Sequence, residues 1–60
     1  MFIEVTTHDD ISFLLNTEFI EQVSRNDSRG GSMIYIHNDE FNPYFIKEPY
    51  EYIRNILLYK

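Results

Sequence analysis

Residues 2–7, FIEVTT, alternate in character, with Ile3 and Val5 pointing one way and Glu4 and Thr6 the other. Period two combined with β-branched residues predicts a strand. Residues 8–10, HDD, follow as a turn, because an Asp side chain can accept from nearby backbone N–H groups. Alternation resumes over 11–15, ISFLL, which places Ile11, Phe13 and Leu15 on one face. The two runs predict an antiparallel hairpin.

Residues 16–26, NTEFIEQVSRN, fit two readings. Asn16 or Thr17 suits a helix N-cap, and Phe19, Ile20 and Val23 have helical spacing. A turn over 16–18 followed by a strand over 19–24 fits as well. That strand puts Phe19, Glu21 and Val23 on one face, with Ile20 and Gln22 opposite. The polar loop 26–31, NDSRGG, ends the segment in either case, and its two glycines can adopt positive φ. Residues 32–37, SMIYIH, read as a strand, NDE as its turn, and 41–46, FNPYFI, as its partner. Pro43 lacks an N–H, which puts that partner at a sheet edge or in a bulge. KEPYEYIRNILLYK closes the chain as a helix with Pro49 at its first helical position. Tyr50, Ile53, Ile56 and Leu57 form the stripe that should pack on the sheet. Tyr52 and Tyr59 lie off it. The expected fold is α+β: a small antiparallel sheet of four or five strands in hairpins, with one C-terminal α-helix packed on it, in a single domain over residues 1–60.

This order, with Leu15-Asn16 ending the second strand, Ile20 spaced from Val23, Ile46-Lys47-Glu48 leading into the helix, and Ile53 with Leu57 on it, resembles the flagellar FlbD family of small swarming-motility proteins. The likeness runs over nearly the whole chain through short apolar motifs. It implies the same α+β fold, the strand reading of 19–24, and an accessory role in motility. Two places differ from the family pattern. Asp9-Asp10 stand where the family usually has Gly in its first turn, and the loop SRNDSRGG is longer.

Composition narrows what so small a chain can do. A domain of this size buries only about 60% of the surface its unfolded form exposes, and ordering it costs roughly 1.5 kcal/mol per residue. Small scaffolds offset that cost with disulfides, metals or partner subunits. Cysteine is absent, so disulfides and thiolate metal sites are excluded. Five Phe and five Tyr are more than one small core can cover. Tyr suits interfaces, where the ring is dry and the hydroxyl reaches water. Assembly into a homo-oligomer is therefore expected, with Phe41, Tyr44, Tyr52 and Tyr59 as candidate interface residues.

The net charge of −5 argues against binding to nucleic acid or to anionic membranes, both of which call for clustered Lys and Arg. Neither a basic, apolar leader nor an apolar run of about 18 residues occurs, so secretion and membrane spanning are not expected. The absence of Ala and Trp beside plentiful Ile, Asn, Tyr and Phe fits an AT-rich coding sequence. That points to the cytoplasm of a low-GC bacterium or of a phage-infected one.

Candidate chemistry is thin. His8 and His37 each precede acidic residues in a turn, but the spacing of zinc ligands is missing, and no metal is expected. Ser12, Ser24, Ser28 and Ser32 lie in no nucleophile elbow, and SRGG lacks the ending of a P-loop. No catalytic residue or cofactor is expected. One loop has binding potential: Arg25, Arg29, Gly30 and Gly31 bring positive charge and backbone N–H groups together, the makings of an anion nest. Two functions are consistent with these features. One is a non-catalytic homo-oligomer that binds and regulates or inhibits a protein partner. The other is an oligomer that sequesters a small anionic or nucleotide-like ligand, as a viral protein directed against a host system would.

Overall fold

The computed structural model describes residues 1–59, with Glu40 described by its backbone alone. Five antiparallel strands and one C-terminal helix form a small α+β fold. The strands divide into two sheets. Strand β1 (Phe2–Thr6) pairs with β2 (Ser12–Asn16), and a meander is made of β3 (Ile20–Arg25), β4 (Ser32–Ile36) and β5 (Asp39–Ile46), with β4 in the middle. The helix α1 spans Tyr50–Leu58 and packs against β3.

The first hairpin follows its alternation. Ile3 faces Leu15 and Val5 faces Phe13 across the ladder. Ile3, Val5 and Leu15 are buried, and Phe13 packs beside them. Ile11 departs from the expected face: it lies before β2 and is exposed. Its carbonyl accepts from Thr7 N–H at 2.9 Å, and its own N–H donates to Thr7 Oγ1 at 3.2 Å. These bonds make Ile11 the closing residue of the turn. Asp10 takes the left-handed conformation there (φ +66°), which Asp tolerates better than most residues.

Asn16 ends β2 and caps a single 3-10 turn, Thr17–Phe19, by accepting from Glu18 N–H at 3.0 Å. The segment beyond it is a strand, β3, as the second of the two readings holds. Its faces differ from the simple alternation. Ile20 pairs with Ile36, yet Gln22 pairs with Tyr35 and Val23 with Ile34. Glu21 is an extra residue, a β-bulge, and it returns Ile20 and Val23 to the same side. Both pack against the core, so Val23 shares a face with Ile20 and not with Glu21, which is exposed.

The second hairpin turns one residue earlier than the NDE reading. Ile36 pairs with Asp39, so His37 and Asn38 form a two-residue connection and Asp39 and Glu40 already belong to β5. Asn38 has φ +70°, in the left-handed region that Asn tolerates better than most residues. Pro43 lies in an edge strand where the register slips: Ile34 faces Tyr44, and residues 40–43 stand opposite Tyr35. The missing proline N–H therefore removes no regular ladder bond.

The two sheets meet along a narrow seam. Thr7 bridges to Ile46, Lys47 N–H donates to Thr6 O at 2.7 Å, and Thr6 N–H donates to Glu48 Oε1 at 2.9 Å. The Glu48 carboxylate thus stands where a strand carbonyl would be. The fully buried Ser32 hydroxyl donates to the Glu48 carbonyl just before α1. Pro49 is the N-cap and not the first helical residue as expected, so the helix begins one position later, at Tyr50. The extended ψ of Pro49, 153°, leaves its carbonyl to accept from Ile53 N–H at 3.3 Å. Ile53 is fully buried with Val5, Ile34 and Ile46, and the core is completed by Ile3 and Leu15. Tyr50, Ile56 and Leu57 are half-buried beside it.

Candidate interaction surface

Helical spacing gives α1 a second stripe. Tyr52, Asn55 and Ile56 recur at i, i+3 and i+4 on one face of the helix, and Tyr59, the C-cap residue, follows at i+7. Together with Met1 they line an open cavity of about 470 Å³. Met1 is held there from another part of the chain. Its carbonyl accepts from the Thr17 N–H at 2.8 Å and from Thr17 Oγ1 at 3.0 Å, and Thr17 is itself buried. The turn capped by Asn16 therefore fixes one wall of the groove, and α1 supplies the other. Tyr52 is 50% exposed and Tyr59 73%, so both rings remain available to a partner.

The other two aromatic candidates lie on β5 and do not line this groove. Tyr44 stacks at a tilt on Phe13, with centroids 5.1 Å apart. Phe41 is 89% exposed. Sequence reasoning thus names two groove residues, Tyr52 and Tyr59, and misses Met1, Asn55 and Ile56. The spacing from Tyr52 to Tyr59 is the signal that carries Asn55 and Ile56 with it. Met1 gives none, because its place depends on Thr17.

The glycine loop is internally bonded. Asn26 is buried, and its Oδ1 accepts from Ser28 N–H at 3.3 Å, Ser28 Oγ at 3.0 Å and Arg29 N–H at 3.3 Å. Gly30 N–H donates to the Asn26 carbonyl at 2.9 Å. Several of the amides that would form a nest therefore already serve Asn26. Gly30 and Gly31 have φ of +81° and +78°, and Gly31 sits directly against the Ile46 carbonyl. Arg25 turns from the loop toward the helix. It lies 4.4 Å over the Tyr50 ring and donates to Glu51 Oε2 from Nη2 at 2.6 Å and from Nε at 3.2 Å. Arg29 is exposed in the loop, so the structure separates the two arginines by function of contact.

Two ion pairs tie distant segments together. The Arg25 hydrogen bond, with a second from its own backbone, holds the Glu51 carboxyl below its usual range, and Glu51 in turn raises Arg25. Lys47 pairs with Asp10 and holds that carboxyl low as well. A carboxyl with a lowered folded pKa adds stability above its unfolded value and loses it as pH falls through the folded one. Thermal stability is expected to be level above about pH 5 and to fall progressively below about pH 4. The double variant Asp10→Asn, Glu51→Gln should melt lower at neutral pH and lose less on acidification. Parallel slopes for the two proteins in a pH series of thermal melts would contradict these pairings.

The histidines occupy separate turns. His37 donates from Nδ1 to Glu21 Oε1 at 2.6 Å, which joins the β4–β5 turn to the bulge of β3. His8 is half-buried in the β1–β2 turn, and its Nε2 has no partner among the described residues. Among those residues no three of His, Cys, Asp and Glu gather closely enough to hold a metal ion. No described helix is long and apolar enough to cross a membrane.

Comparison with known proteins finds no matching family model, no similar curated protein and no similar solved structure.

Proposed function

We propose that this chain is a small, non-catalytic interaction protein that associates with itself and regulates or inhibits a protein partner held in the groove between Met1 and α1. The observation that carries this reading is the groove itself. A 60-residue chain commits one face of α1 to the core and leaves a second, largely apolar face open beside Met1. Tyr and Met are residue types enriched where proteins meet, and a cluster of them around a concavity suits an anchoring side chain. The net charge of −5 favours a partner whose contact surface is apolar at its centre and basic at its rim. Sequestration of a small anion has less support, because Asn26 uses loop amides and Glu51 engages Arg25.

The test is affinity capture with the wild-type chain and with Tyr52→Ser, Tyr59→Ser, followed by calorimetric titration of the purified captured protein. Both substitutions lie on exposed positions and should leave the circular dichroism spectrum unchanged. Loss of two anchoring rings is expected to weaken binding by roughly 30-fold or more. Equal affinity for the two proteins would remove the groove from the interaction.

A further inference from the structure

The five strands differ in how they treat their edges. β1 carries Glu4, β3 carries Glu21 and Arg25 with a bulge, and β5 carries Asp39, Glu40 and Pro43 with a break in register. Charges, bulges and proline are the devices that keep an exposed edge from pairing with another chain. Only β2 (SFLLN) and β4 (SMIYI) contain no charged residue. For β4 this is expected, since it lies between two strands. β2 has the same central-strand composition and a strand on one side only.

The ladder shows which groups β2 leaves open. Thr17 N–H bonds to Met1 O and Thr7 N–H to Ile11 O, and both pairs continue the β1–β2 register. Antiparallel pairs alternate, so Phe13 and Leu15 bond to β1 while Ser12, Leu14 and Asn16 direct N–H and C=O to the outer edge. Among the described residues these backbone groups have no hydrogen-bond partner except the Asn16 carbonyl, which is taken up as the cap of the 3-10 turn Thr17–Phe19. Leu14 is 68% exposed on the outer face, and Phe2, diagonal to it across the ladder, is 62% exposed.

We infer that β2 pairs antiparallel with β2 of a second copy about a twofold axis through Leu14, so that the two hairpins become one four-stranded sheet. The inference rests on the self-association proposed above and gives it an interface. The strand is symmetric about Leu14 in length: Leu14 faces its own copy and Ser12 faces Asn16, using the open groups of all three residues. About four new backbone hydrogen bonds form in that register: two between the Leu14 residues, and one from each Asn16 N–H to the Ser12 carbonyl of the other copy. The turn at Asp10 ends the pairing on one side and the 3-10 turn ends it on the other. On the outer face Phe2, Leu14 and their copies join into one apolar strip, since diagonal neighbours lie within reach of an aromatic ring. Charge selects the occupant. A chain of net charge −5 repels its copy over most of its surface, but this edge is uncharged. The two Glu4 side chains would lie three strand spacings apart, about 14 Å, beyond the screening length at physiological salt.

Sedimentation equilibrium at about 100 µM chain tests this. The wild-type protein should have twice the 7.3 kDa mass. Two variants remove the edge: Leu14→Lys, which places like charges at the axis, and a synthetic chain N-methylated at Leu14, which lacks the outward N–H. Both should dissociate roughly tenfold or more readily, with native circular dichroism, while Tyr59→Ser stays dimeric. A wild-type dimer that both variants leave intact overturns the β2 interface and leaves self-association standing elsewhere. A monomeric wild-type chain overturns both and gives the edge to a strand from another protein. Unfolding of the N-methylated chain would mean that the Leu14 N–H is bonded within its own chain, which also overturns the proposal.

Discussion

Replacing Ile53 with alanine is expected to remove most of the chain's stability. Ile53 is fully buried and is the residue through which α1 enters the core. Truncating a buried isoleucine costs about 2–5 kcal/mol, because a cavity remains where the side chain was. A domain of this length is stable by about 3–9 kcal/mol in total. Ile53→Val keeps the branch at Cβ and should cost only about 0.5–1.5 kcal/mol. Urea titrations followed by circular dichroism separate the three proteins by their midpoints. If Ile53→Ala melted with the wild-type chain, the helix would not be docked through this residue.

Gly31→Ala should have an effect of similar size for a different reason. A methyl group on Gly31 collides with the carbonyl of Ile46 and lies 3.1 Å from the Lys47 carbonyl carbon. These are backbone atoms of the neighbouring strand, so no side-chain rotation relieves the clash. The residue also has φ +78°, in the left-handed region. Gly30 provides the control. It has nearly the same φ, +81°, but open space where its methyl group would go. Gly30→Ala should therefore cost only the left-handed strain, about 1–2 kcal/mol. Gly31→Ala should cost about 3 kcal/mol or more, since the start of β4 must move away from the end of β5. Equal midpoints for the two alanine variants would show that the close approach to Ile46 is not maintained.

What can be read in the sequence depends on the range of the interaction. The alternation of Ile3 and Val5, and the spacing of Ile53 with Leu57, are local periodicities, and both give the buried face correctly. Glu21 defeats the same rule. A single bulged residue reverses the face of everything after it, and only the partner strand shows that Ile20 and Val23 lie on one side. The β4–β5 turn shifts for a related reason: the tight connection depends on the φ of Asn38, not on polarity, and NDE is polar throughout. Tyr52 and Tyr59 are legible as groove residues because one helix places them. Met1 is brought by a hydrogen bond from Thr17, and Arg25 is drawn to Glu51, 26 residues away. No local pattern encodes either contact.

The seam at Thr6 also governs the order of events in time. A hairpin of adjacent strands forms within about 1–10 µs, because its loop is short. Both β1–β2 and the β3–β4–β5 meander are built of such neighbours. The bonds from Thr6 to Lys47 and Glu48 close a loop of some forty residues, and Ile3 and Val5 meet Ile46 only when it is closed. Closing long loops is the entropically slow step in small β-rich chains. The transition state for folding should therefore lie at the seam, with both halves already paired. In the native protein the same bonds should exchange their amide hydrogens together, as one unit that opens without melting either hairpin.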